Sequence, residues 1–132
     1  MDIIALEQRF RRDPLPIRLG NLAANLARIS SAAACVEEWP FVLHNIRESK
    51  YFIEWTTPEL PPGHWGFMIG LQVRLSQIER RGAQSWCSRA SETVRQQTRE
   101  WSEALIAVML AMQSSPGRIP PSLPCVHDAV IT

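Results

Sequence analysis

The chain has 132 residues, of which 45% are hydrophobic and 20% are charged, and it contains five tryptophans. This length and composition are typical of one folded domain and exclude an intrinsically disordered chain. The formal net charge is only +1, which argues against a nucleic-acid-binding protein because those usually carry a strong basic excess. No apolar run approaches the roughly 20 residues needed to cross a bilayer, so we expect no membrane partner.

The first residues and the cysteines bear on the cellular compartment. The chain does not open on a basic stretch followed by an apolar run and a small-residue cleavage site, so we expect no secretory signal peptide. Cys35, Cys87 and Cys125 are far apart and odd in number, which indicates neither a disulfide framework nor a zinc site. The expected location is the cytoplasm.

Two helix starts are predicted in the first part of the chain. Asp2 as a cap, followed by apolar residues at helical spacing, predicts a short helix over residues 2–12. Asp13 and Pro14 then mark a second start, because aspartate accepts hydrogen bonds from free N–H groups and proline is tolerated in the first turn. A longer helix should therefore begin at Pro14.

The strongest pattern in the sequence is an apolar seam on this second helix. Its members recur every 3.5 residues on average, which is the period of a coiled coil. Small residues beside the seam, from Gly20 to Ala34, allow another helix backbone to approach closely. The partner is either another part of the chain or a second copy, and we predict a homodimer. The seam consists of Leu15, Leu19, Leu22, Leu26, Ile29, Ala33 and Val36.

Pro40 interrupts the helical pattern that follows the seam. Proline lacks an N–H group and clashes with the preceding turn, so it bends or ends a helix. No Gly, Asn, Asp or Ser beside Pro40 marks a reversing turn, and helical spacing resumes at once. We therefore predict one long helix over residues 14–56 that is kinked at Pro40. The alternative is two helices that meet there.

The rest of the chain is predicted as two further helices and a tail. Three prolines and a glycine in residues 57–63 indicate a chain reversal. A helix over residues 64–81 and a last helix over residues 85–113 follow from their apolar spacing. Residues 116–132 hold four prolines among apolar residues, so we expect an extended tail packed on the domain of residues 1–115. The predicted fold class is an all-α, up-and-down helical bundle.

No catalytic, metal-binding or cofactor-binding motif stands out. The Glu-x-x-His spacing that carries di-iron sites in helical bundles is absent from the sequence. The histidines His44, His64 and His127 lie in no recognisable nucleophile motif. We therefore predict a non-enzymatic protein without a metal or a cofactor.

The segment around His44 resembles histidine phosphotransfer domains over a few residues. Those domains are helical bundles with an exposed histidine followed by a basic residue and a glycine. Here Arg47 provides a cation three residues after His44, but Glu48 departs from the pattern. The resemblance implies phosphoryl transfer through His44, which we keep as a third functional hypothesis.

Aromatic residues concentrate at a corner formed by residues 51–67, around the proline-rich turn. Such a corner either lines a ligand pocket or closes one end of the bundle as a hydrophobic plug, which is the favoured interpretation. The leading functional hypothesis is an interaction or adaptor protein that binds a partner protein, and small-molecule binding at this corner is the alternative. The candidate binding residues are Trp55, His64, Trp65 and Phe67.

Overall fold

The computed structural model describes residues 2–33, 35–82 and 88–114, and within these residues all regular secondary structure is helical. The expected all-α helical bundle is confirmed. The predicted tail at 116–132 lies outside the described residues. The described part of the chain forms five α-helices, α1 (Ile3–Arg12), α2 (Leu15–Ala32), α3 (Trp39–Thr56), α4 (Trp65–Arg81) and α5 (Ser88–Ser114), with short 3-10 turns at Val36–Glu38, Thr57–Glu59 and Pro62–His64.

Local sequence signals account for several helix ends. The Asp2 carboxylate accepts a hydrogen bond of 3.1 Å from the Ala5 N–H and so caps α1. At the end of α4, Gly82 has a φ of 67°, and its N–H donates to the Ile78 carbonyl. Glycine adopts this left-handed backbone without the steric penalty of a Cβ, so it ends the helix where the sequence predicts.

α2 and α3 are two antiparallel helices, so the prediction of one helix kinked at Pro40 is wrong. The Asn25 side chain donates to Glu48 at 3.1 Å, and Arg18 forms an ion pair with Glu59 just beyond α3. Residue numbers therefore fall along one helix as they rise along the other. The alternative of two helices that meet near Pro40 is closer to the observed arrangement.

Pro40 lies in the first turn of α3. The N–H groups of a first turn have no intrahelical acceptor, so proline loses nothing there. The chain reverses just before, where the Cys35 N–H bonds to the Ala32 carbonyl and the Glu38 N–H bonds to the Cys35 carbonyl. Pro40 therefore starts a helix and does not bend one.

α2 packs most extensively against α5, and these two helices are also antiparallel. The Ser102 hydroxyl donates to the Ala23 carbonyl at 2.8 Å, and the Ser30 hydroxyl donates to the Arg95 carbonyl at 2.7 Å. Short side chains that reach the other helix's backbone require a close approach of the two helices. Ala23 and Ser30, two of the small residues beside the seam, thus pack against another part of the same chain.

The apolar seam of α2 faces the interior of the chain. Leu15 is partly buried and packs against the core. The side chain of Val36 is not among those that the structure describes. A homodimer therefore needs a different surface. The other five seam residues, Leu19, Leu22, Leu26, Ile29 and Ala33, are each 0% exposed.

α1 and α4 both pack against α3. The Phe10 ring of α1 stacks on the Phe52 ring of α3 with centroids 4.0 Å apart. α4 packs against α3, and the Arg74 guanidinium donates to the Gln97 side chain of α5 at 3.2 Å. Among the described helices, none is both long and apolar enough to cross a membrane.

Candidate functional site

The aromatic corner at residues 51–67 is largely closed. Trp55, His64 and Phe67 are buried and contribute to the packed end of the bundle. Burial lowers the pKa of His64, because the charged imidazolium loses hydration, so this side chain is neutral near pH 7. Only Trp65 among the four candidate residues is exposed. Its indole Nε1 donates to the Leu60 carbonyl at 2.9 Å, which fixes the orientation of the ring.

Trp65 belongs to an exposed apolar surface that we call the α4 outer face, defined by Trp65, Ile69 and Val73. Steps of four residues place side chains on the same side of a helix. The three residues are 40%, 59% and 46% exposed, respectively. Sequence reasoning did not single out Ile69 and Val73, although their spacing from Trp65 is visible. The opposite side of α4 is buried through Met68, Leu71, Leu75 and Ile78.

A second feature is a groove of about 630 Å³, here called the α3 groove. α3 lines it from Pro40 to Glu54, Ile3 of α1 contributes to it, and Gln72 and Glu79 of α4 contribute as well. Fourteen residues of helix rise by about 21 Å, so the groove is elongated along α3. None of the four candidate residues of the aromatic corner lines it.

The polar centre of the α3 groove is a carboxylate shared by two cations. Glu79 accepts a hydrogen bond of 2.9 Å from Arg47 Nε and one of 2.8 Å from Lys50 Nζ. Burial alone would raise the pKa of Glu79, but the bonds from Lys50 and Arg47 outweigh it and hold the pKa below its usual range. Sequence reasoning missed this cluster, because α3 and α4 contribute to it from distant positions.

His44 lies on the rim of the same groove and is exposed. Its Nε2 is 3.7 Å from Glu48 Oε2. Glu48 is the residue that departs from the phosphotransfer pattern, and it places a carboxylate beside the imidazole. A phosphoryl group carried by His44 would face repulsion from that carboxylate.

Neither metal chemistry nor a known relative identifies the protein. In residues 2–33, 35–82 and 88–114, no group of three or more His, Cys, Asp or Glu side chains is arranged to hold a metal ion. No protein-family model matches the chain, and neither a curated protein nor a solved structure matches it.

Proposed function

We propose that this chain is a non-enzymatic interaction protein whose contact surface is the α4 outer face. The observation that carries the proposal is the joint exposure of Trp65, Ile69 and Val73 on one side of a helix. Burying aligned apolar side chains of this size against a partner lowers the free energy, because it removes them from water. The hydrogen bond from Trp65 to Leu60 orders the indole in advance, which lowers the entropy lost on binding.

We propose a second copy of the chain as the partner. Trp65 and Val73 each lie four residues from Ile69, on opposite sides. When two α4 helices pair antiparallel about Ile69, Trp65 of each copy meets Val73 of the other. Such a two-fold contact uses the same patch on both copies.

Sedimentation velocity of the purified full chain tests this proposal. We expect a dimer at tens of micromolar, a range that corresponds to roughly −6 kcal/mol of association. Ile69→Lys should be monomeric, because it places a charge at the centre of the contact. The matched control is Ile4→Lys, since Ile4 of α1 is 72% exposed and lies outside the α4 outer face. A wild-type chain that stays monomeric, or a dimer that Ile69→Lys leaves intact, would refute the proposal.

The other two functional hypotheses have less support than the interaction surface. Ligand binding at the aromatic corner is less favoured, because Trp55, His64 and Phe67 are buried. Phosphotransfer through His44 is less favoured, because Glu48 lies beside it.

We retain the cytoplasm as the proposed location, which suits the exposed free thiol of Cys35.

A further inference from the structure

We infer that the α3 groove binds a small amphipathic anion, meaning a molecule that joins an apolar group to a carboxylate or a sulfonate. The groove volume of about 630 Å³ lies within the range of roughly 300–1,000 Å³ that is typical of small-molecule sites. The inference is independent of the proposed function, because Ile69 and Val73 do not line the groove.

The preference for an anion follows from unused hydrogen-bond donors. An arginine side chain has five N–H donors and a lysine has three. Arg47 and Lys50 each donate one hydrogen bond, to the two different oxygens of Glu79. Glu54, the other carboxylate in the lining, forms no ion pair with them within the described part of the chain. Their remaining donors are available to a ligand carboxylate, and such charge-assisted bonds are stronger than neutral ones.

The preference for an apolar group follows from the neighbours of these cations on α3. Leu43 lies one helical turn before Arg47, and Tyr51 lies one turn after it. Both line the groove, and Ile3 of α1 adds a third apolar side chain. All three are only partly buried, so each has apolar area left for a ligand to cover.

One buried atom in the lining also calls for a hydrogen-bond donor. The Gln72 Oε1 atom has no hydrogen-bond partner although it is inaccessible to solvent. A buried acceptor without a donor is unfavourable, because the water it bonds in the unfolded chain is not replaced. Because solvent does not reach this oxygen, an N–H or O–H group of a ligand can bond to it only when the Gln72 side chain turns toward the groove.

The probe for a first test is 8-anilinonaphthalene-1-sulfonate, which combines a sulfonate, aromatic rings and an N–H group. Its fluorescence, titrated with the full chain, should show saturable binding at one site. Arg47→Gln and Lys50→Gln should each weaken binding about tenfold, the effect of losing one charge-assisted bond. Glu79→Gln should strengthen binding severalfold, because it removes the internal carboxylate that competes for both cations. Circular dichroism checks that each variant is folded.

Two comparisons decide whether the probe reports on this groove. Leu110→Lys is the matched control, because Leu110 of α5 is 53% exposed and belongs neither to the groove lining nor to the α4 outer face, so the affinity should stay unchanged. Octanoate should displace the probe at about tenfold lower concentration than octanol, which has the same chain length without the charge. Equal competition by both compounds, or binding that Leu110→Lys abolishes while Arg47→Gln and Lys50→Gln leave it intact, would overturn the inference.

Discussion

Replacing Leu26 by alanine measures whether the α2 seam is an internal core. Leu26 is 0% exposed, and its helix packs against both α3 and α5. The substitution removes three carbons, which costs about 2.4 kcal/mol of transfer free energy at roughly 0.8 kcal/mol each. The two flanking helices limit collapse into the cavity, so we expect a total loss of about 3–4 kcal/mol in the free energy of unfolding. Typical domains have only about 5–15 kcal/mol in all.

Urea unfolding followed by circular dichroism at 222 nm is the appropriate assay. With an m-value of roughly 1–3 kcal/mol/M, the midpoint should fall by about 1–4 M while m stays constant. The control is Ile4→Ala, which removes an exposed side chain and should change stability by less than about 0.5 kcal/mol.

Measuring the stability loss at different protein concentrations can refute this prediction. A side chain buried within one chain contributes the same free energy at every protein concentration, whereas an interface residue does not. A loss for Leu26→Ala below about 1 kcal/mol, or one that changes across a hundredfold dilution, would show that the seam is not an internal core.

Three further substitutions probe electrostatics. Arg18→Met should cost about 1–2 kcal/mol at pH 7, because buried Arg18 donates two hydrogen bonds to the partly exposed Glu59. These bonds lower the pKa of Glu59 from 4.5, so the loss should shrink as pH falls below that value in urea titrations. Burial lowers the pKa of His64 from 6.5, so stability should fall below pH 6.5, and His64→Gln should flatten that part of the profile. Glu37→Gln should speed alkylation of Cys35 at pH 8, read by peptide mass spectrometry, because the hydrogen bond to Glu37 raises the pKa of the thiol.

Each of these expectations has a contrary result. Equal losses for Arg18→Met at pH 7 and pH 3 would mean that Glu59 is not its energetic partner. An unchanged acid profile in His64→Gln would assign the pH dependence to other groups. Identical alkylation rates with and without Glu37 would remove the hydrogen bond as the cause.

The helices were predictable, whereas the reversal between α2 and α3 was not. Apolar spacing and the caps at Asp2 and Gly82 are local signals, so the sequence carries them directly. The reversal depends on backbone hydrogen bonds at Ala32, Cys35 and Glu38, which any residue type except proline can donate. Without a glycine or asparagine to mark it, the turn resembles a continuing helix, and Pro40 suits both interpretations.

The candidate surfaces were likewise only partly predictable from the sequence. His64 and Trp65 are adjacent in sequence, yet one is buried and the other is exposed. α4 carries apolar residues on two sides, and only packing against the rest of the chain decides which side faces water. The α3 groove needs Lys50 and Glu79 together, and their 29-residue separation leaves no local signal.

The pairing of α2 with α5 has a consequence for synthesis on the ribosome. The hydroxyl bonds that join these helices span 65 and 79 residues of sequence. α2 is therefore made long before its main packing partner, and part of its leucine surface stays uncovered while α3 and α4 are translated. Exposed apolar surface of this kind is prone to aggregation and is a target for chaperones. A nascent chain stalled before α5 should thus be the form of this protein that chaperones retain.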